Sequence, residues 1–507
     1  AEKAISICRK QKFDVVVSDL HLGSDRKNGF EFVEELRVRR LIKPTTVFIL
    51  ISADSARPVV LGSIERRPDD YLIKPFSQVQ LKSRISRAWS KRQYLGDVYR
   101  EIANDNLNTA VDICEDLLAS PSPYRGSCEQ LLVELYWQLE QPDKALDVLT
   151  PYLDGKPIMW AQVALGKTYV HLQQYDKAMD MAEQVLKRNR FSAEAQDILA
   201  QASDAKQQGE LAISAIRQAI KLSPFSLPRH FHACEIARNH DDYLLAAESS
   251  FAIWDLSKRT VHYDCLHWCG YIRSLLDVAE YTDDKRTRNK YQQEALLALQ
   301  RGKFDEYLHR LDEDFDVEIF GRIMNARVNA IDGKMLDAKK HLVRSQWAIE
   351  EKYQTPPIAF IPDSIKVMFD LGEFEDALKL QEVLKNSEGN LDPNSRFLLS
   401  KEQHNSKQNF ANYQQFNREG IKYYQQGKYE QAKAAFALAQ GFAPVNTGVT
   451  LNLLQCLLQL LLKSDKPSRE MMLECRKLFK LIDDMPLKQQ HAEKYQTLRQ
   501  ELDQIIG

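Results

Sequence analysis

Three residues far apart in the chain stand at matching places. Asp19 closes the run DVVVSD, Ser52 closes FILIS, and Lys74 directly follows DYLI. Each run has the length and the β-branched or aliphatic content of a strand, and each delivers a reactive group at its end. A carboxylate can attack a phosphoryl group to give an acyl phosphate. That chemistry needs cations for the phosphoryl oxygens, which a lysine and a divalent metal supply, and a hydroxyl to hydrogen-bond the new phosphate. In an open parallel sheet, ligands collect beyond the carboxyl ends of the strands. If the three runs are neighbours, one rim receives all three groups.

The flanking pattern supplies such a sheet. Residues 1–11 have helical spacing at Ala4, Ile5 and Cys8, and residues 13–18 read as a strand whose valines are buried on both faces. GFEFVEELRVR sets Phe32, Val33 and Leu36 on one helical face. Residues 45–51 (TTVFILI) form a second doubly buried run, residues 57–66 read as a helix, and residues 70–73 as a third strand. Pro75 ends that strand, and a helix starts at Gln78. Strands alternating with helices imply βαβ units and a parallel sheet covered on both faces.

DVVVSD, ILISA and YLIKPF, in this order, resemble the second half of the receiver domain of bacterial two-component response regulators. The resemblance implies a flavodoxin-like α/β fold over residues 1–90 and phosphorylation of Asp19 by a sensor histidine kinase or phosphotransfer protein. It also implies that Ser52 moves toward the phosphate, that Lys74 contacts it, and that Tyr71 is the aromatic whose rotamer follows the hydroxyl. The Lys74–Pro75 peptide matches one that is usually cis. Mg²⁺ is implied on Asp19 and the backbone carbonyl of His21. Here the sequence departs from the family. A whole receiver begins with a strand, a helix and a second strand, and its first strand ends in the acidic pair that holds the metal. No such pair precedes Asp19, because Glu2 lies on the opening helix. Mg²⁺ seeks near-octahedral oxygen coordination, so it needs acidic residues upstream of Ala1. The expectation is that roughly 50 residues of the unit are missing at the start, with a degenerate receiver as the alternative. Gly23 stands where many receivers have proline.

Beyond residue 90 the strands stop and a period begins. Ala110, Ala145, Ala178, Ala212 and Ala246 stand 35, 33, 34 and 34 residues apart by subtraction of their numbers. That spacing is the signature of the tetratricopeptide helix–turn–helix. Leu165, Gly166, Tyr169 and Ala178 follow the family order, and Pro157 and Pro224 fall where repeats end. The fullest match is Gly420, Tyr423, Ala432, Phe436, Ala439 and Pro444. Glycine and alanine suit a close helix crossing, and the aromatic fills the space between neighbouring pairs. The expected organisation is an all-α superhelix over 91–390, irregular from about 255, and further repeat-like helices over 410–507. Ala338 and Ala377 mark looser hairpins. DDKRTRNK (283–290) reads as an inserted loop and residues 386–412 as a hinge.

Composition narrows the function. Lys and Arg total 69 against 71 Asp and Glu, so no global basic field draws nucleic acid or anionic membrane. No run is long and apolar enough for a membrane span; VTLNLLQCLLQLLL (449–462) reads as a buried helix. Eight irregularly spaced cysteines suggest reduced thiols in a cytoplasm. His262, Cys265 and Cys269 could share a helical face as zinc ligands, but core thiols are the preferred reading. His230 and His232 read as partner-facing or solvated, and the acidic run 312–318 as a solvated helix end. Val163, Lys167, Asn417 and Ile421 do not build the carboxylate clamp of some tetratricopeptide arrays. No phosphate-binding glycine motif and no helix-turn-helix are visible. The leading expectation is a cytoplasmic response regulator whose phosphorylation alters a protein-binding groove, toward an unidentified partner or a second copy of the chain. The rivals are a phosphorylation-independent scaffold and an enzyme with its site in 255–400, for which the sequence offers no acid–base cluster.

Overall fold

The chain opens with helix α1 (Glu2–Lys10), strand β1 (Val15–Asp19), helix α2 (Gly29–Val38) and strands β2 (Val47–Ser52) and β3 (Asp70–Ile73), followed by helix α3 (Gln78–Tyr94). These coordinates are a computed structural model describing residues 1–22, 28–53, 68–154, 157–258, 260–309, 315–386, 391–463, 469–487 and 489–506. The expected helix at 57–66 and Gly23 lie outside the described residues. The sheet order is β1-β2-β3, all parallel. β2 is buried along its whole length. Its alternating side chains feed two cores. Phe48 and Leu50 join Ile5, Cys8, Phe32, Val33 and Leu36 beneath α1 and α2. Val47, Ile49 and Ile51 join Leu72 and Ala88 beneath α3. β1 departs from expectation. Val17 is 41% exposed, because β1 has a ladder partner only on its β2 side among the described residues.

Five helical hairpins follow: α4 (Gly96–Ala103) with α5 (Leu107–Leu118), α6 (Arg125–Gln138) with α7 (Pro142–Leu149), α8 (Met159–His171) with α9 (Tyr175–Arg188), α10 (Ala193–Ala205) with α11 (Gly209–Leu222), and α12 (Leu227–Asn239) with α13 (Tyr243–Ser257). The landmark alanines are buried, as a close crossing requires. A second regularity accompanies them. The residue five positions before each one has left-handed backbone: Asp105, Glu140, Gln173, Gln207 and Asp241, with φ between 55° and 64°. Every turn therefore reverses the chain the same way and presents its alanine at the same crossing. Residues 1–264 form one compact unit and residues 265–507 a second.

The second unit contains α14 (Cys265–Glu280), α15 (Lys285–Gly302), α16 (Glu306–His309), α17 (Val317–Ile331), α18 (Met335–Lys352), α19 (Ile361–Leu371), α20 (Phe374–Lys385), α21 (Pro393–Gln425), α22 (Tyr429–Phe442), α23 (Thr447–Lys463), α24 (Arg469–Asp483) and α25 (Gln489–Ile506). The turn rule persists with glycine: Gly333, Gly372 and Gly427 have positive φ five residues before Ala338, Ala377 and Ala432. Gly420 also fits expectation, since a Cβ there would lie 2.7 Å from the Phe436 ring. Among the described residues no helix is long and apolar enough to cross a membrane, and the greasy 449–462 segment lies within α23.

Several sequence expectations are corrected. Residues 285–290 are helical and not an inserted loop, because Asp284 caps α15 by accepting from the Arg286 and Thr287 amides. From Pro393 the supposed hinge is part of the 33-residue α21, capped by Asp392. His230 is buried and bonded to the Pro224 carbonyl, so it does not face a partner, and the His232 ring bonds Gln201. His262 precedes α14 and cannot share its face with Cys265 and Cys269. Of the 312–318 run, 312–314 lie outside the described residues, Phe315 is buried, and Asp316 caps α17. The eight cysteines are unbridged.

The turn glycines differ in surroundings and so in expected mutational cost. A Cβ on Gly372 would stand 2.4 Å from the Ala443 backbone, whereas a Cβ on Gly333 meets nothing within 4 Å. Gly333→Ala is expected to cost about 1–2 kcal/mol for the left-handed conformation alone. Gly372→Ala adds the clash and is expected to cost about 3 kcal/mol or more. Urea-unfolding midpoints of the two variants measure the difference.

Candidate functional site

The rim is built by the ladder running to its last residue. Asp19 pairs with Ile51, and Ser52 pairs with Ile73. Beyond the strands the Leu20 amide donates to the Ile51 carbonyl and the Lys74 amide to the Ser52 carbonyl, both at 2.8 Å. The carboxylate, hydroxyl and ammonium therefore leave three adjacent strand ends. Lys74 Nζ donates to Asp19 Oδ2, and the His21 amide donates to Oδ1 at 3.2 Å. The two charged side chains are open to solvent, Asp19 at 35% and Lys74 at 44%. Ser52 is buried. The Lys74 hydrogen bond first, then the His21 amide and the nearby positive charges, hold the Asp19 carboxyl below its ordinary range, against the burial that raises it. A carboxylate that stays ionised and reachable is fit to act as a nucleophile.

Tyr71 pairs with Leu50, two residues before Ser52, so Tyr71 and Ser52 occupy the same sheet face. Tyr71 packs against the core under α1 and α2. The Lys74–Pro75 peptide is cis. The structure thus brings Asp19 and Lys74 into contact, with Ser52 on the strand between them and Tyr71 on its face.

Gly29 escaped the sequence reading. Its amide donates to the Leu20 carbonyl, and a Cβ there would lie 2.4 Å from the Asp19 carbonyl oxygen. Only a glycine lets α2 start against the end of β1. The signal was present as a glycine at the head of an amphipathic run. A reciprocal Asn28–Glu31 pair fixes that start, each side chain accepting the other's amide.

Helix α3 links this rim to the hairpins. It begins beside Lys74 with a Ser77–Gln80 capping box. At its far end Arg92 Nε donates to Asp69 Oδ1 at 2.6 Å, Nη1 donates to the Pro44 carbonyl at 3.2 Å, and the guanidinium lies 4.0 Å from the Tyr99 ring centre on α4. Asp69 Oδ2 accepts from the Phe48 amide at 2.7 Å. One arginine therefore ties β2, β3 and the first hairpin together. Arg92→Ala leaves the Asp69 carboxylate, 3% exposed, with one charged partner fewer. The expected cost is about 1–3 kcal/mol, with faster amide exchange in residues 44–48 and 96–103 as the readout.

Residues 1–86 match the family model "Response regulator receiver domain", and residues 163–226 match "Tetratricopeptide repeat". The N-terminal segment is a receiver domain. Repeats of the tetratricopeptide kind follow it. Similar proteins include the alkaline phosphatase synthesis transcriptional regulatory protein PhoP of Bacillus subtilis, 28% identical over 134 residues, covering 26% of this chain and 53% of that protein. The two-component response regulator ARR2 of Arabidopsis thaliana is 36% identical over 85 residues, 16% of this chain and 12% of its own. The alginate biosynthesis transcriptional regulatory protein AlgB of Pseudomonas syringae is 30% identical over 93 residues, 18% of this chain and 20% of its own. The chain thus spans between 12% and 53% of the length of these relatives.

Mg²⁺ fits the described residues only in part. Asp19 supplies the single carboxylate at the carboxyl ends of the described strands, and both of its oxygens already accept hydrogen bonds. An ion seeking six oxygens needs more than this carboxylate and the His21 carbonyl.

Proposed function

We propose that the receiver domain accepts a phosphoryl group on Asp19 from a sensor histidine kinase or phosphotransfer protein and passes the change to a protein-binding helical array. The observation that carries this reading is the ionised, half-exposed Asp19 bonded to Lys74, with Ser52 on the intervening strand. An Asp19 oxygen attacks phosphorus of a phosphohistidine. The N–P bond breaks, its electron pair stays on the imidazole, and the imidazole takes up a proton. Lys74 is already placed to receive the negative charge of the acyl phosphate. The modification adds about 1.5 to 2 negative charges at the rim. Ser52 and Tyr71, on one face, then adjust, and α3 and Arg92 carry the shift to α4. The groove of a helical array is the natural contact surface for a partner or a second copy. The proposed setting is the cytoplasm. Any bound Mg²⁺ would use Asp19 and His21, completed by acidic groups from outside the described residues.

The test is beryllofluoride treatment of the full chain, with amide exchange followed by mass spectrometry. The reading requires altered protection around residues 52–53, 70–76 and the α3–α4 junction. Unchanged exchange, with no phosphoryl mass gained from acetyl phosphate, supports the phosphorylation-independent scaffold instead.

A further inference from the structure

The second unit holds a buried ionic cluster that the receiver chemistry does not use. Three cations, Arg273, Arg327 and Lys366, face six carboxylates, Asp277, Glu280, Asp363, Asp370, Asp392 and Glu402. The groups come from α14, α17, α19 and α21 and the Asp392 cap, so the cluster joins the helices of this unit to one another. Its balance is uneven. Asp363 is divided between two arginines, a strongly charge-matched arrangement. Around Lys366 the excess is negative: Nζ lies 2.8 Å from Glu280, 2.7 Å from Asp370 and 3.1 Å from Glu402. Glu280 has additional help from Arg327 at 3.1 Å. Asp370 and Glu402 form ion pairs with Lys366 and, among the described residues, with neither arginine. Like charges this close in a site of little solvent cannot all be ionised cheaply. Among the described residues the cluster is also unsaturated, since Arg327 Nε is buried without a hydrogen-bond partner there.

We infer that the carboxylates around Lys366 hold one shared proton, and that this proton controls how tightly α21 is joined to α19 and α14. Glu402 and Asp370 are its two seats, since burial pushes both carboxyls up; of the two side chains Glu402 is the less exposed, 9% against 24%. Burial first, and then the carboxylates of Asp370 and Glu280 against the opposing pull of Lys366, push the Glu402 carboxyl up to about 7. The groups acting on it are Lys366 and Asp370 from α19 and Glu280 from α14. Arg327 on α17 acts through Glu280 and Asp277, and Lys401 on α21 itself lies over the Tyr281 ring. α22, also packed on α21, carries Glu430 and Lys433, and Lys433 is engaged by Glu474.

The sign follows from the direction. A carboxyl whose folded pKa is raised favours the protonated folded state. Its stabilisation is therefore complete below the ordinary carboxyl range, near pH 4.5, and is lost as pH rises through about 7. A shift of this size corresponds to roughly three hundredfold in the opening equilibrium over the whole pH range. The test is amide exchange in the full chain, corrected for intrinsic rates, over residues 361–371 and 393–410. Protection is expected to be about thirtyfold greater at pH 5.5 than at pH 8. Glu402→Gln, which resembles the protonated acid, should keep the acid-level protection at pH 8. His404→Ala, on the same helix but exposed, should leave the wild-type dependence intact. Protection independent of pH, a Glu402→Gln protein with the wild-type pH dependence, or loss of that dependence in His404→Ala would each overturn the inference.

Discussion

Asp363→Ala is expected to lower the stability of the second unit by about 3–5 kcal/mol, the usual cost of removing one partner from a buried ion pair. The reason is geometric. Asp363 is 0% exposed, and its Oδ2 accepts from Arg273 Nε at 3.0 Å and Nη2 at 2.6 Å, while Oδ1 accepts from Arg327 Nη1 at 3.1 Å. Both guanidiniums are themselves fully buried. Burial opposes their charge, but the surrounding carboxylates, Asp363 prominent among them, more than offset it and hold both arginines firmly protonated. Removing Asp363 takes the nearest carboxylate from buried Arg273, leaving it Asp392 at 3.5 Å, and one of three carboxylates from buried Arg327. Urea unfolding followed by two probes, one in each unit, is expected to show an early transition in 265–507 and an unchanged one in 1–264. A single variant as stable as the parent would contradict this account of the cluster.

The second large effect concerns the rim. Asp19→Asn is expected to abolish the gain of a phosphoryl group from acetyl phosphate, because an amide oxygen is not a competent nucleophile there. The fold should persist, since the Asn side chain can still accept from the His21 amide and Asp19 is not buried. Lys74→Ala should separate binding of charge from its creation. The carboxylate remains, but the cation that would meet the phosphoryl oxygens is gone, and the rate of phosphorylation is expected to fall about a hundredfold. Intact-mass spectrometry after timed exposure to acetyl phosphate reads both. Retention of the mass gain in Asp19→Asn would remove Asp19 from its proposed role.

The two halves of the chain differed in how much their residues disclosed. The rim was legible because strand ends are set by local runs, and DVVVSD, FILIS and YLIKP each close on their chemical group. The hairpins were legible because burying a small residue at every crossing leaves a period. The positive-φ turns were not foreseen, since Asp105, Glu140, Gln173, Gln207 and Asp241 look like any polar loop residue. The ionic cluster is not legible in the sequence. Asp363, Lys366 and Asp370 stand at helical spacing, and a charged stripe of that kind is normally solvated. Their partners lie up to 90 positions away, as Arg273 does, and one-dimensional spacing carries no such contact. A clue existed in IPDSIKVMFDL and YIRSLLDVA, where charges sit inside otherwise apolar helices. Gly29 was passed over for a related reason: only the placement of Asp19 makes it necessary.

Helix α3 has 17 residues, a rod about 25 Å long. One end is anchored by its cap beside Lys74 and the other by the arginine beneath the first hairpin. A stiff rod pivoting near one end multiplies displacement, so a tilt of about 5° moves the other end by about 2 Å. Small rearrangements among the strand tips would thus reach the repeats enlarged, by leverage alone and without any element having to unfold.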